Sequence, residues 1–342
     1  MSEADPPEVL CLGETMALVT PTVPAPLESA ESFSLAAAGA ESNVAVHLAA
    51  LGHRAGWASR LGADPLGRRV INALSAAGVD TSLVGVRANA PTGVYFKDPA
   101  PSGTKVHYYR AGSAASTMDE TALSGAAADD PRVLHLSGIT PALSDGCDRL
   151  VEHLLTRRRR NLISFDVNYR PALWPVERAG PRLRELAREA DLVFVGLDEA
   201  RTLWGASTPD HVAEILSGPG TVIVKDADVA AHALGAHAAS VPAPAVEVVE
   251  PVGAGDAFAA GHLSGLLRGF DTARCLRLGH LVAAHGLLST RDHAPLPAEH
   301  DLARWLDCSD EQWRALTFSP QKHQAQQNHE SQQNGDIGTV RG

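Results

Sequence analysis

The sequence predicts an α/β fold built on a mainly parallel sheet with helices on both faces. Three observations carry that expectation. Short β-branched runs alternate with longer segments whose apolar residues recur at helical spacing. Several of the helical segments stop at a glycine, and a single stretch breaks the alternation. The chain has 342 residues, 44% of them hydrophobic and 20% charged, enough to bury a sizeable core in one large or two small units. A single domain over residues 1–318 is expected.

The elements follow in order. VLCL at 9–12 reads as a strand closed by Gly13, and NVAVHLAAL at 43–51 as a helix stopped at Gly52. AGWASRLG is the next strand, followed by a helix over PLGRRVINALSAAG, again ended by glycine. The alternation continues through VLHLSGI, a helix before the RRRR at 157–160, LISFDVNYR, LVFVGL, TVIVKD and a helix after GAGD. Cations at 157–160 suit a helix C-terminus, where the dipole favours them. The interruption lies at 92–110, TGVYFKDPAPSGTKVHYYR, which reads as two strands around a Pro/Gly/Ser turn. Together with 19–35 it forms an expected small lid, with segments at about 14–36 and 91–112. Residues 319–342 are Gln/Asn-rich with almost no apolar side chains and read as a disordered tail.

Composition excludes several classes of function. A net charge of −11 argues against general nucleic-acid or anionic-membrane binding. The four cysteines are scattered without a CxxC pair, which suits free thiols in a reducing cytosol. With no signal-peptide pattern at the start and no apolar run of membrane-spanning length, a cytoplasmic protein is expected. The histidines show no HxxxH or HExxH pairing.

Three stretches carry candidate chemistry. In VEPVGAGDAFAAG, at 249–261, Gly253 and Gly255 supply a GxG, but Phe258 occupies the third position of a dinucleotide fingerprint. Small residues there let backbone N–H groups at a helix N-terminus approach an anion. Asp256 is then either a plain helix-terminal acid or a base beside that anion. In YYRAGSAAS, at 108–116, Tyr108 and Arg110 share one face of a strand, offering phenol and guanidinium to a carboxylate or polyol; an amphipathic edge strand is the alternative. In FDVNYRPALW, at 165–174, Asn168 and Arg170 stand at a strand's C-terminal end, either in a polar turn or at a ligand, and Lys225 ends the strand TVIVKD similarly.

These stretches, with Gly39-Ala-Glu-Ser-Asn43, RLGADPLGRRV, TGVYF and HLSGITPAL, occur in the order that resembles ribokinase-like (PfkB-type) sugar kinases. The resemblance covers roughly residues 9–297 and is nearest to 2-keto-3-deoxygluconate kinases. It implies a three-layer α/β/α domain and ATP-dependent phosphorylation of a sugar hydroxyl. It also implies Mg²⁺ on the phosphates and a homo-oligomer formed through the lid. Carried over residue by residue, Asp256 is implied as general base and the Gly253, Ala254 and Gly255 amides as anion hole. Substrate contacts are implied at Gly39, Ala40, Asn43, Tyr95, Tyr108, Arg110, Arg170, Asp256 and Asp292. Nucleotide contacts are implied at Asn168, Lys225, Gly253 and Gly255, with Glu199 tied indirectly to metal. Paired arginines suit a sugar acid as substrate.

Three departures stand against the family pattern. Gly196-Leu-Asp-Glu199 replaces NxxE, Lys225-Asp-Ala-Asp-Val-Ala-Ala231 replaces KxGxxGA, and Glu250 replaces the aspartate of DPVGAGD. A site needing positive φ disfavours alanine by about 1 kcal/mol. A related kinase acting on fructose, ribose or another keto-sugar acid, or a weakly catalytic sugar-binding relative, stand as alternatives.

Overall fold

The structure, a computed structural model, describes residues 6–23, 25–100, 104–123, 125, 127, 130–289 and 296–320. Asp292, residues 321–342 and the hairpin tip at 101–103 lie outside them.

The main sheet has nine strands. Its parallel part comprises β1 (Val9–Leu12), β4 (Ala55–Gly62), β5 (Val84–Arg87), β8 (Val133–Ser137), β9 (Leu162–Asp166), β10 (Leu192–Gly196) and β11 (Thr221–Asp226). An antiparallel hairpin, β12 (Ala230–Gly235) and β13 (Ala239–Pro242), extends one edge beyond the strands that periodicity predicts. The spatial order is β13-β12-β11-β10-β9-β8-β1-β4-β5. Alternation within the strands sends side chains to two separate cores. Val9 and Cys11 of β1 enter one, Leu10 and Leu12 the other; Phe194 and Val193 of β10 divide in the same way.

The first core is covered by α1 (Ala40–Ala50), α2 (Pro65–Ala76), α7 (Ala254–Leu267), α8 (Thr272–Leu287) and α9 (Glu299–Leu306). The second is covered by α3 (Asp145–Thr156), α4 (Val176–Arg188), α5 (Leu197–Trp204) and α6 (Pro209–Ile215). The three-layer α/β/α architecture therefore stands as expected. A short α10 (Asp310–Arg314) leads to β15 (Thr317–Phe318), which pairs with β14 (Ala245–Val246). The RRRR run lies just past the end of α3, where Arg159 meets Asp191 at 3.0 Å.

α7 is buried almost all round, and Gly261 lets it lie close against α8: a Cβ there would sit 2.5 Å from the Leu278 carbonyl. α1 packs on α7 as well. Those two contacts fix the first turns of α1 and α7 beside each other, above the C-terminal ends of β1 and β8.

The expected lid is a four-stranded sheet. β2 (Met16–Pro21) and β3 (Phe33–Ala38) form one antiparallel pair, and β6 (Val94–Asp98) and β7 (Lys105–Tyr109) the other; β2 and β6 join them in parallel. Met16, Leu18, Ala38 and Tyr95 make its small core.

Local strain and burial each generate a stability prediction. Ala227 holds φ at +44°, whereas Ala230 lies in β12. Of the two missing glycines, only the one at 227 needs the left-handed region. Ala227→Gly is expected to raise unfolding free energy by up to about 1 kcal/mol and Ala230→Gly to lower it, read by urea titration. His262 is buried edge-on to Phe194, neither ring nitrogen is bonded among the described residues, and burial pushes its pKa down to about 4. Its contribution is complete above the unfolded value of about 6.5 and is lost as pH falls towards 4. His262→Phe should therefore remove about 1.4 kcal/mol per pH unit of acid slope in that window. An unchanged slope would place the acid sensitivity elsewhere.

Candidate active site

The site gathers where β1, β8, β9, β10 and β11 end and where α1 and α7 begin. α7 starts at Ala254, after Gly253 turns the chain with φ of +86°. Among the described residues, the N–H groups of Gly253, Gly255 and Asp256 meet no acceptor, while that of Ala254 faces the Pro251 carbonyl at 3.4 Å. A helix N-terminus with open amides is a ready anion cradle. Of the three amides expected to form the hole, Ala254's is thus partly engaged, and Asp256's own N–H is open.

Asp256 is only 7% exposed, in the first turn of α7. Its Oδ2 accepts Asn43 Nδ2 at 2.9 Å and its Oδ1 faces Asn168 Nδ2 at 3.4 Å. Asn168 reaches it from the end of β9 with φ of +42°, a left-handed conformation that asparagine tolerates better than most residues. Burial pushes the Asp256 carboxyl up to about 6, while the Asn43 bond and the Arg170 and Lys225 charges pull it down.

Lys225 pairs with Asp166 at 3.1 Å, and a Cβ on Gly255 would lie 3.3 Å from its Nζ. Burial pulls Lys225 down, but the Asp166 and Glu199 carboxylates leave it above its ordinary value. Glu199 spends both oxygens on backbone, accepting Tyr169 N–H at 2.9 Å and Gly196 N–H at 2.8 Å. It therefore braces the Asn168–Arg170 turn against α5. Arg170 stands close enough for its charge to act on both Asp256 and Glu199.

The remaining expected residues divide. Gly39 caps α1 and Ala40 begins it; a Cβ at Gly39 would strike the Glu14 carbonyl at 2.3 Å, so the close approach demands glycine. On the lid, Tyr95 and Tyr108 are register partners with ring centroids 5.6 Å apart, and the Arg110 guanidinium lies 5.6 Å over the Tyr108 ring. Arg110 already has a counter-charge, the wholly buried Glu14 carboxylate, which also accepts the Ser113 hydroxyl. Asp292 lies outside the described residues. Glu250, the conservative departure, meets Lys97 of β6 at 3.7 Å and so joins the lid to the turn before α7.

Sequence reasoning missed Glu14, Glu41 and Asp166. Glu14 and Asp166 stand at or just past the C-terminal ends of β1 and β9, and Glu41 in the first turn of α1 within the quoted Gly39–Asn43 stretch, which are the signals that could have found them.

Comparison with known proteins gives the family of the chain. A family model described as pfkB family carbohydrate kinase matches residues 6–299. A 2-dehydro-3-deoxygluconokinase of Bacillus subtilis (strain 168) is 35% identical, covering 87% of this chain and 95% of that protein. A 2-dehydro-3-deoxygalactonokinase of Haloferax volcanii is 32% identical, covering 81% and 90%. The crystal structure of a PfkB protein from Polaromonas sp. JS666 superposes with a TM-score of 0.77 at 36% identity, covering 87% and 99%. The chain belongs to the pfkB family of carbohydrate kinases.

Proposed function

We propose that this chain is an ATP-dependent kinase of 2-keto-3-deoxy sugar acids, phosphorylating the C6 hydroxyl of 2-keto-3-deoxygluconate to give 2-keto-3-deoxy-6-phosphogluconate. The observation that carries the chemistry is Asp256, buried and held by two amides beside open N–H groups. Support for an acidic substrate comes from Arg110 and Arg170 and from the two relatives described above.

In this reading the Asp256 carboxylate takes the hydroxyl proton as the sugar oxygen attacks the terminal phosphorus, and ADP leaves. The Gly253, Gly255 and Asp256 amides take up the charge that develops on the transferred phosphoryl oxygens, with Ala254 completing the turn. Phosphoryl transfer needs such positioning and charge stabilisation more than covalent help. The open amides and the Lys225 ammonium fit a nucleotide's phosphates. Asn43 and Asn168 aim the base. Gly39 and Ala40 bring the start of α1 to the sugar, with Tyr95, Tyr108, Arg110 and Arg170 as its further contacts; Asp292, the remaining contact that the resemblance implies, lies outside the described residues.

Mg²⁺ supplies charge neutralisation on the phosphates. Glu199 would act on the ion only through the Asn168–Arg170 turn that it braces, both of its oxygens being taken by backbone N–H groups. The reading extends to a cytoplasmic protein and to a homo-oligomer formed through the lid, whose Phe33, Leu35 and Tyr109 are exposed; light scattering of the intact chain and of Tyr109→Lys tests the latter.

A coupled ADP-release assay across ketodeoxygluconate, ketodeoxygalactonate, ribose and fructose decides the substrate class, and turnover confined to neutral sugars would overturn the acid reading. Asp256→Asn should fold normally and lose at least about 10²-fold in kcat, since it removes the base and little packing. Arg110→Ala and Arg170→Ala should raise KM for the acid far more than for ATP. The base works only when deprotonated, so kcat/KM should rise with pH through about 6, the value to which Asp256 is pushed.

A further inference from the structure

Glu41 stands in the first turn of α1, two residues before Asn43, and its side chain has no exposure at all. Its Oε1 accepts the Ser137 hydroxyl from the end of β8 at 2.6 Å and the Thr140 hydroxyl from the following turn at 3.0 Å. Among the described residues its Oε2 has no hydrogen-bond partner. Gly13 leaves room for this carboxyl, since a Cβ there would lie 2.0 Å from the Glu41 carboxyl carbon.

The groups around it are few and carry no positive charge. From β1 comes the Cys11 thiol, which burial and then the Glu41 charge push well above its ordinary value, so it stays neutral. From α7 comes the Asp256 carboxyl. From β8 and the turn after it come hydroxyls only, and among the described residues no Lys, Arg or His pairs with Glu41. The neighbouring buried acids differ: Glu14 has Arg110, and Asp166 has Lys225. A carboxyl out of water with no cation is costly as an anion and inexpensive as a neutral acid.

We propose that Glu41 is a positioning residue held as a neutral carboxylic acid, tying the first turn of α1 to β8 so that Asn43 aims Asp256, and that its ionisation sets the alkaline limit of turnover. The idea rests on Asp256 being the base. Once Glu41 ionises, a second, uncompensated negative charge stands behind that base and opposes an incoming polyanion. Burial holds the Glu41 carboxyl up to about 7, against the Ser137 hydroxyl, its own backbone N–H and the Thr140 hydroxyl, which pull it down, and with the Asp256 charge adding to the rise. The productive state, Asp256 deprotonated and Glu41 protonated, therefore occupies the window between about 6 and about 7.

The test is kcat/KM against pH for the full chain with ketodeoxygluconate and Mg-ATP, in wild type, Glu41→Gln and Ser137→Ala. Wild type should rise through about 6 and fall through about 7. Glu41→Gln mimics the neutral acid and cannot ionise, so the falling limb should vanish, raising the rate near pH 8 relative to that near pH 6.5 by roughly tenfold. Ser137→Ala removes a donor that favours the charged form and should move the falling limb up by about one unit. A falling limb at the wild-type position in both variants overturns the proposal. Should Glu41→Gln not fold, Ser137→Ala carries the same test alone.

A readout without turnover separates this idea from the function beneath it. The infrared carbonyl band of a protonated acid should appear in the wild-type minus Glu41→Gln difference spectrum near pH 6.5, where Asp256 contributes equally to both, and be lost from it by about pH 8. Its absence from that difference overturns the proposal. Asp256→Asn that still turns over, with the band behaving as expected, would remove the base assignment and leave Glu41's proton in place.

Discussion

The structure turns on a carboxylate buried at the start of α7. A helix N-terminus collects negative charge, and Asp256 is placed there with almost no access to water. Such a group must be supplied with donors from elsewhere, and the fold brings them from two distant segments: Asn43 on α1 and Asn168 at the end of β9. Delivering both requires α1 to lie against α7 and the sheet to end in register beneath them. The close seat of Gly261 on α8 and of Gly39 on the Glu14 carbonyl are consequences of that requirement. Among the described residues the two asparagines leave their own side-chain oxygens unbonded, so their amides are committed to aiming one acid and gain little else locally.

Charge around that acid is distributed unevenly. Lys225 is matched by Asp166, and Arg110 by Glu14, so neither cation stands as a bare positive pole before ligands arrive. Arg110 matched in this way is held over Tyr108 in one orientation, which lowers the entropy cost of meeting a second carboxylate. Glu199 differs again, because both oxygens hold backbone N–H groups. With the asparagine of the usual NxxE replaced by Gly196, the glutamate keeps its structural role, and Gly196 contributes its own N–H to the same carboxylate.

Much of this was legible in the sequence, and the rest was hidden for physical reasons. The parallel strands, the helices ended by Gly52 and Gly78 and the lid hairpin follow from periodicity and turn chemistry, whereas the roles expected of Asp256, Lys225 and Asn168 come from the family resemblance, local chemistry alone leaving them open. α4 was missed because Pro181 lies within it and argues against a helix, yet the buried stripe of Leu183, Leu186 and Ala187 holds it in place. The antiparallel β12–β13 edge was missed because its alanines carry little strand signal. The pairings of Glu14 with Arg110 and of Glu41 with Ser137 could not be read at all. Each joins segments far apart in the chain, and only the convergence of strand ends makes them neighbours.

The loop after Lys225 shows how a departure from a family pattern divides on inspection. From the sequence, both missing glycines weigh equally against nucleotide binding. In the fold, Ala230 is an ordinary strand residue paired with Asp226, and its substitution costs nothing in backbone strain. Ala227 alone is held at positive φ. The strain of about 1–2 kcal/mol sits in the turn beyond Lys225, while the Lys225–Asp166 pair and the amides of the α7 turn lie on separate elements. A penalty confined to that turn weakens the loop without displacing the groups that would move a proton or steady a phosphoryl. The altered loop is therefore an argument about how firmly this protein holds a nucleotide and carries no weight against the reaction.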